Sequence, residues 1–116
     1  MALLNREQIL EARETLTEIV TVEGWGGDVI VSTMSGFARD KFEATIVGKS
    51  GGVNTTNMRA KVVAASVVDE SGKLLFSEKD IVKLGKKSAK DLDKVYAVAT
   101  RLSGISDSDV EDLAKN

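Results

Sequence analysis

The distribution of apolar and polar residues divides the chain into short segments that have different periods. Residues 15–23 (TLTEIVTVE) and 28–34 (DVIVSTM) are rich in β-branched residues and lack the 3.6-residue period of a helix. A glycine-rich segment over residues 24–27 separates them. We therefore predict a β-hairpin with a glycine-rich turn, and Trp25 lies at its tip.

Capping residues predict where the helices begin. Asn5 is followed three residues later by Gln8, which is the spacing of a capping box and predicts a short amphipathic helix over residues 5–14. Serines that precede an aspartate by three residues recur at Ser77, Ser88 and Ser106. The helices expected after the hairpin cover residues 36–47, 57–69, 78–84, 89–103 and 107–115, with a loop over 49–56.

The segment over residues 57–69 is ambiguous, because its valines favour a strand and its Met, Lys, Arg and Ala residues favour a helix. Its length favours a helix, and after Lys61 apolar residues occupy nearly the whole circumference, as in a central buried helix. The fold class predicted is α+β, with a small N-terminal β-hairpin followed by a bundle of about five helices. We expect one domain over residues 1–116, with the hairpin part at 5–34 and the helical part at 35–116.

The composition narrows the candidate chemistry. The 116 residues include no histidine and no cysteine, which excludes thiol nucleophiles, hydrolases with a histidine base and the usual zinc sites. Residues 69–72 lack the spacing of an EF-hand calcium loop, so a plain turn is favoured over a calcium site there. Residues 24–27 lack the spacing of a phosphate-binding loop. We therefore predict no catalytic residue, no cofactor and no metal site.

Charge is distributed unevenly. A net charge of −2 argues against a nucleic-acid partner, and no apolar run approaches the roughly 18 residues of a membrane span. Both ends of the chain are acidic, and the segment between 83 and 94 is rich in lysine. Such runs are most often solvated helix faces, but they also fit head-to-tail self-association between copies. The candidate residues for self-association are Lys83, Lys86, Lys87, Lys90, Asp107, Asp109, Glu111 and Asp112.

Trp25 is the only tryptophan in the chain, and two interpretations of it stay open. Exposed tryptophans are enriched among interface anchors, so Trp25 is a candidate for contact with a partner. Alternatively, its ring folds back over the hairpin or the neighbouring helix. The aromatic content of 4% predicts a thin core, for which burial against a partner would be useful.

Several segments together resemble the tail assembly chaperones of long-tailed, siphovirus-type bacteriophages and prophages. They are NREQIL near the start, the WGG turn, the helix start SGFARDKFEA, and the stretch from NMRAKVVAASVVDESGKLLFSEKD to the RLSG motif and the last helix. The order and spacing of these motifs are more distinctive than any one of them, and they cover nearly the whole chain.

The resemblance implies a non-enzymatic protein that coats the tape measure protein before the tail tube forms and that associates with itself. It also implies a location in the host cytoplasm and absence from the finished virion. In many members of the family, a frameshift near the end of the reading frame yields a longer form. The alternative is a structural minor tail component or another protein-interaction module.

The resemblance supplies no catalytic residues. As candidates for partner contact we choose Trp25, together with Val110 and Leu113 on the last predicted helix. Val110 and Leu113 are apolar and three residues apart, so they lie on one helix face. The alternative for this pair, docking on the helix over residues 89–103, is favoured by the logic of amphipathic helices.

Overall fold

The computed structural model describes residues 2–12, 14–47, 54 and 56–105. The elements in chain order are α1 (Arg6–Glu11), β1 (Thr17–Val22), β2 (Gly27–Ser32), α2 (Gly36–Ile46), α3 (Met58–Ser66), β3 (Val67–Val68), α4 (Ile81–Gly85) and α5 (Ala89–Ser103). An early antiparallel sheet is thus combined with helices, and the prediction of an α+β fold is confirmed. The predicted helix over 107–115 lies outside the described residues, as does most of the predicted loop over 49–56.

The predicted β-hairpin is formed by β1 and β2. Their register runs from Thr17 opposite Ser32 to Val22 opposite Gly27. Between the strands, Glu23–Trp25 make one turn of 3-10 helix, and Gly26 closes it with φ +79°. Its N–H donates to the carbonyl of Val22 at 3.1 Å. Residues other than glycine seldom adopt this left-handed conformation, which explains why the turn has a glycine at position 26.

A third strand, β3, was missed by the sequence prediction. The helix expected over 57–69 is observed over Met58–Ser66, and then Val67 leaves it with φ −83° and ψ 127°. Val67 and Val68 pair with Val31 and Ile30 of β2, giving the sheet order β1-β2-β3. The β-branched side chains fit this extended conformation, and pairing satisfies backbone groups along the second edge of β2. The first nine residues of the ambiguous segment, Met58–Ser66, are therefore helical, and the next two, Val67–Val68, form a strand.

The core is centred on α3, in which seven of nine residues are buried. Helix α3 contacts α2, α4 and α5, and α5 in turn packs against β1 and β2. The side chains that are almost completely buried are nearly all aliphatic: Ile46, Val22, Val31, Val62, Val63, Val67 and Val95. Among the described residues that are buried, Phe42 of α2 is the only aromatic one. The stability of the domain thus depends mainly on burial of small aliphatic side chains.

The predicted caps are observed at some helix starts only: the Ser88 side chain makes no cap hydrogen bond at the start of α5, and Ser106 lies outside the described residues. In α2, the Ala38 N–H donates to the Ser35 hydroxyl at 3.1 Å. At the predicted helix over 78–84, the Ser77 N–H donates to the Asp80 carboxylate at 2.8 Å. However, Glu78–Asp80 form a 3-10 turn, and the α-helix begins only at Ile81. The predicted α-helix was therefore wrong in its first turn, because the Ser77–Asp80 box holds a tighter turn there.

Candidate interaction surfaces

The hairpin tip packs against the body of the domain. The side chain of Trp25 is partly buried and touches the hydrophobic core, and its indole N–H has no hydrogen-bond partner among the described residues. A Cβ on neighbouring Gly24 would lie 2.1 Å from the carboxylate of Asp91 on α5, so this glycine permits the close approach of hairpin and helix. Trp25 thus folds back onto the domain, as in the second interpretation given above, and the residue remains partly exposed.

The lysine-rich segment spans α4 and the beginning of α5. Lys83, Lys86, Lys87 and Lys90 are all exposed, and none of them forms an ion pair with another described residue. Their positive charge is therefore not neutralised by the part of the chain that the structure describes. This surface is the basic half of the predicted self-association contact.

Two of these lysines border a groove, which we call the lysine groove. It has a volume of 360 Å³ and is lined by Leu75, Phe76, Asp80, Lys83, Leu84 and Lys87. Leu84 is buried, Phe76 is partly buried, and 52% of Leu75 is exposed. The lysine groove therefore combines an apolar floor with a rim that carries two lysines and one aspartate.

The other half of the predicted contact is not described by the structure. Asp107, Asp109, Glu111 and Asp112 lie outside the described residues, as do the partner-contact candidates Val110 and Leu113. Their predicted roles stay predictions.

The N-terminal segment, residues 2–12, is an exposed apolar surface that the sequence prediction did not select. Every residue of it is exposed, including all six residues of α1. Its large apolar side chains are Leu3, Leu4, Ile9 and Leu10, with exposed fractions of 99%, 63%, 57% and 66%. The sequence does show a capped amphipathic helix here. The apolar face of such a helix is ordinarily buried, so it was not expected to be an exposed surface.

Strand β1 also carries an exposed apolar residue, Ile19. Because β1 pairs only with β2, its other edge is open in the described residues. Two basic side chains of α5 reach across this edge: Lys94 donates to the carbonyl of Thr21, and Arg101 pairs with Glu18 at 2.6 Å. Charged side chains at an edge strand discourage further strand pairing, so this edge is partly protected.

Lys61 is a buried charge that sequence analysis treated only as a helix former. It is 6% exposed, and its ammonium donates to the carbonyls of Thr45 at 3.0 Å and Asn54 at 2.9 Å. Burial lowers the pKa of Lys61 from its ordinary value of 10.5. Because Thr45 lies in the last turn of α2, the lysine holds the C-terminal end of α2 against α3.

The acidic turn after β3 is built around Asp69. Its carboxylate accepts hydrogen bonds from the Ser71 hydroxyl at 2.7 Å, the Ser71 N–H at 2.8 Å and the Lys73 N–H at 3.0 Å. The hydroxyl of Ser71 and then the N–H of Lys73 hold the pKa of Asp69 below its ordinary value of 3.8. This carboxylate serves the turn, which is the interpretation favoured from sequence.

Within the described ranges, no group of three acidic, histidine or cysteine residues is arranged to hold a metal ion. None of the described helices has the length and apolar character that a membrane span needs.

The fold places the chain in a class of small α+β proteins. Comparison with protein-family models and with curated proteins gives no match. Among solved structures, the chain is similar to the tail assembly chaperone of bacteriophage HK97, with a TM-score of 0.55 and 17% identity. The similarity covers 83% of this chain and 94% of that one. The resemblance to tail assembly chaperones is thereby confirmed at the level of the fold.

Proposed function

We propose that this chain is a phage tail assembly chaperone that binds the tape measure protein and associates with itself around it. The observation that carries the proposal is the fold shared with the HK97 tail assembly chaperone over 83% of this chain and 94% of that one. Because the similarity extends over most of both chains, it concerns the whole domain and not only a short motif, such as a hairpin, that many folds contain. The motifs that resemble the same family are consistent with this proposal.

The surface of the domain supports a role in binding. The N-terminal segment exposes four large apolar side chains within eight residues, Leu3, Leu4, Ile9 and Leu10, and a group of exposed apolar side chains is typical of a surface that a partner covers. In this proposal the chain performs no bond-making step. It acts by covering apolar surface of the tape measure protein until the tail tube replaces it, in the host cytoplasm, and it does not remain in the finished particle.

The proposal is tested by co-expression with the tape measure protein of the same tail gene cluster. We expect the soluble fraction of the tape measure protein to rise when the chain is present, and the two proteins to purify together. Val63→Asp, which places a charge in the core, provides a control chain whose folded state is strongly destabilised. If the folded chain leaves the solubility of the tape measure protein unchanged and does not purify with it, the proposal is wrong.

Finished particles separate the chaperone from the structural alternative. We expect the chain to be absent from purified virions by mass spectrometry, or present only in traces. A fixed copy number in purified virions would instead identify a structural tail component.

A further inference from the structure

The N-terminal segment contains a capped helix, and none of its residues is buried against the rest of the described chain. Its helix is held locally: the Gln8 N–H donates to the Asn5 side chain, and the Asn5 N–H donates back to Gln8, each at 2.9 Å. Leu4 and Ile9 occupy the two positions of a hydrophobic staple. A helix of six residues is marginal alone in water, so covering its apolar side chains would stabilise it.

The same helix carries a stripe of negative charge. Glu7 and Glu11 lie one turn apart on one face, and Leu10 lies beside them at the third position after Glu7. The partner of Glu7 is the adjacent and exposed Arg6 at 3.3 Å, and Glu11 has no ion pair with a described residue. The helix therefore presents an apolar side chain on one side of two accessible carboxylates.

The lysine groove has the complementary pattern. Its floor of Phe76 and Leu84 is apolar, the exposed Leu75 also lines it, and Lys83 and Lys87 stand four positions apart on its rim. Asp80 also lines it, so the rim has a net positive charge. An apolar side chain next to two carboxylates fits this floor and rim in both respects.

We propose that the N-terminal segment of one copy docks in the lysine groove of a second copy, with Leu10 on the apolar floor and Glu7 and Glu11 facing Lys83 and Lys87. The proposal rests on the self-association in the proposed function and assigns its two surfaces. Both surfaces belong to one chain and differ from each other. The contact is therefore heterologous, and each bound copy leaves a free segment and a free groove for the next.

Charge reversal on each side tests this contact. The first variant, Glu7→Lys with Glu11→Lys, and the second, Lys83→Glu with Lys87→Glu, place like charges opposite each other in self-association. We expect each variant alone to weaken association about tenfold or more in sedimentation velocity over a concentration series. In an equal mixture, the positive segment of the first variant meets the negative groove of the second, and the negative segment of the second meets the positive groove of the first. We therefore expect association to return.

The matched control is Lys86→Glu with Lys90→Glu. It makes the same change of charge on the same exposed segment but does not line the groove. We expect it to change association much less than reversal of Lys83 and Lys87. Circular dichroism of every variant should match that of the unmodified chain, because all the altered residues are exposed.

Each other outcome overturns the proposal in a recognisable way. If the unmodified chain associates but the reversals leave association unchanged, this contact is wrong and the proposed self-association stands. If the reversals shift the melting temperature but not the sedimentation, the segment or residues 106–116 occupy the groove within one chain. If reversal abolishes binding of the tape measure protein but not association between copies, the groove binds that partner instead. A chain that stays monomeric at every concentration overturns the contact and the self-association together, whereas binding of the tape measure protein is tested separately.

Discussion

Helices α1 and α3 of this domain are opposites in their surroundings. Seven of the nine residues of α3 are buried, whereas none of the six residues of α1 is. Both are too short to be stable alone, so each needs something outside itself. Helix α3 finds it in three neighbouring helices, α2, α4 and α5, while α1 has only its own cap. The difference separates the part of the chain that makes the domain stable from the part available for contact.

The largest effect on stability is expected from a charge placed in α3. Val63 is completely buried, so Val63→Asp puts a carboxylate among aliphatic side chains without a partner. We expect a loss on the order of 5 kcal/mol in the free energy of unfolding, which is comparable to the whole stability of a small domain. Urea denaturation followed by circular dichroism measures it.

Val82→Asp is the matched control, because Val82 is 60% exposed on α4. It should change the free energy of unfolding by no more than about 0.5 kcal/mol. Equal losses in the two variants would contradict the assignment of α3 as the centre of the core.

A smaller loss is expected when the buried charge next to α3 is removed. Lys61→Met keeps most of the side-chain volume but leaves the carbonyls of Thr45 and Asn54 without their donor. We expect a loss of about 1–3 kcal/mol in the free energy of unfolding. Lys94→Met, at an exposed lysine that also donates to a carbonyl, should cost less because water can replace the donor.

Lys61 also predicts a pH dependence. Burial lowers the pKa of Lys61 in the folded chain, so the unfolded chain retains this proton to higher pH. The free energy of unfolding should therefore rise with pH between the lowered pKa and the ordinary value of 10.5, relative to Lys61→Met. A difference between the two proteins that is constant with pH, or that falls in this interval, would contradict the burial of the ammonium.

The turn that follows β3 should contribute less than Lys61. Asp69→Ala removes the acceptor of three hydrogen bonds and should lower the melting temperature at neutral pH, whereas Glu70→Ala in the same turn should not. The pKa of Asp69 is lowered in the folded chain, so its contribution is present above 3.8 and is lost as pH falls through the lowered pKa. The melting temperatures of Asp69→Ala and the unmodified chain should converge there.

The smallest effect on stability is expected in α1. Leu10 is 66% exposed, and Leu10→Asp should change the free energy of unfolding by no more than about 0.5 kcal/mol. Sedimentation velocity should nevertheless show weaker association, because the proposed contact places this side chain on an apolar floor. A large loss of stability in the monomer would show that α1 is packed within its own chain.

Local patterns predicted most of the fold. The limits of α5, Ala89–Ser103, are those predicted from Ser88, the clear period and the glycine that follows, although the Ser88 side chain makes no cap hydrogen bond. The hairpin followed from two β-branched runs around glycines. In both cases, the residues that determine the structure are neighbours in the sequence.

Contacts between distant residues could not be predicted in this way. Val67 and Val68 belong to a strand only because β2 offers them a free edge, and their own sequence is equally compatible with continuing α3. Lys61 is buried because the carbonyls of Thr45 and Asn54 meet its ammonium. The pattern of α1 predicted a helix with an apolar face, but no sequence pattern states whether such a face is covered by the same chain or by another.

Hydrogen exchange measured by mass spectrometry at increasing protein concentration tests the contrast between α1 and α3 directly. The amides of α3 should be protected at every concentration, because they belong to the core of the single copy. The amides of α1 should exchange rapidly in dilute solution and become protected as association proceeds. Protection of α1 in the dilute monomer, or its rapid exchange in the associated protein, would contradict the account.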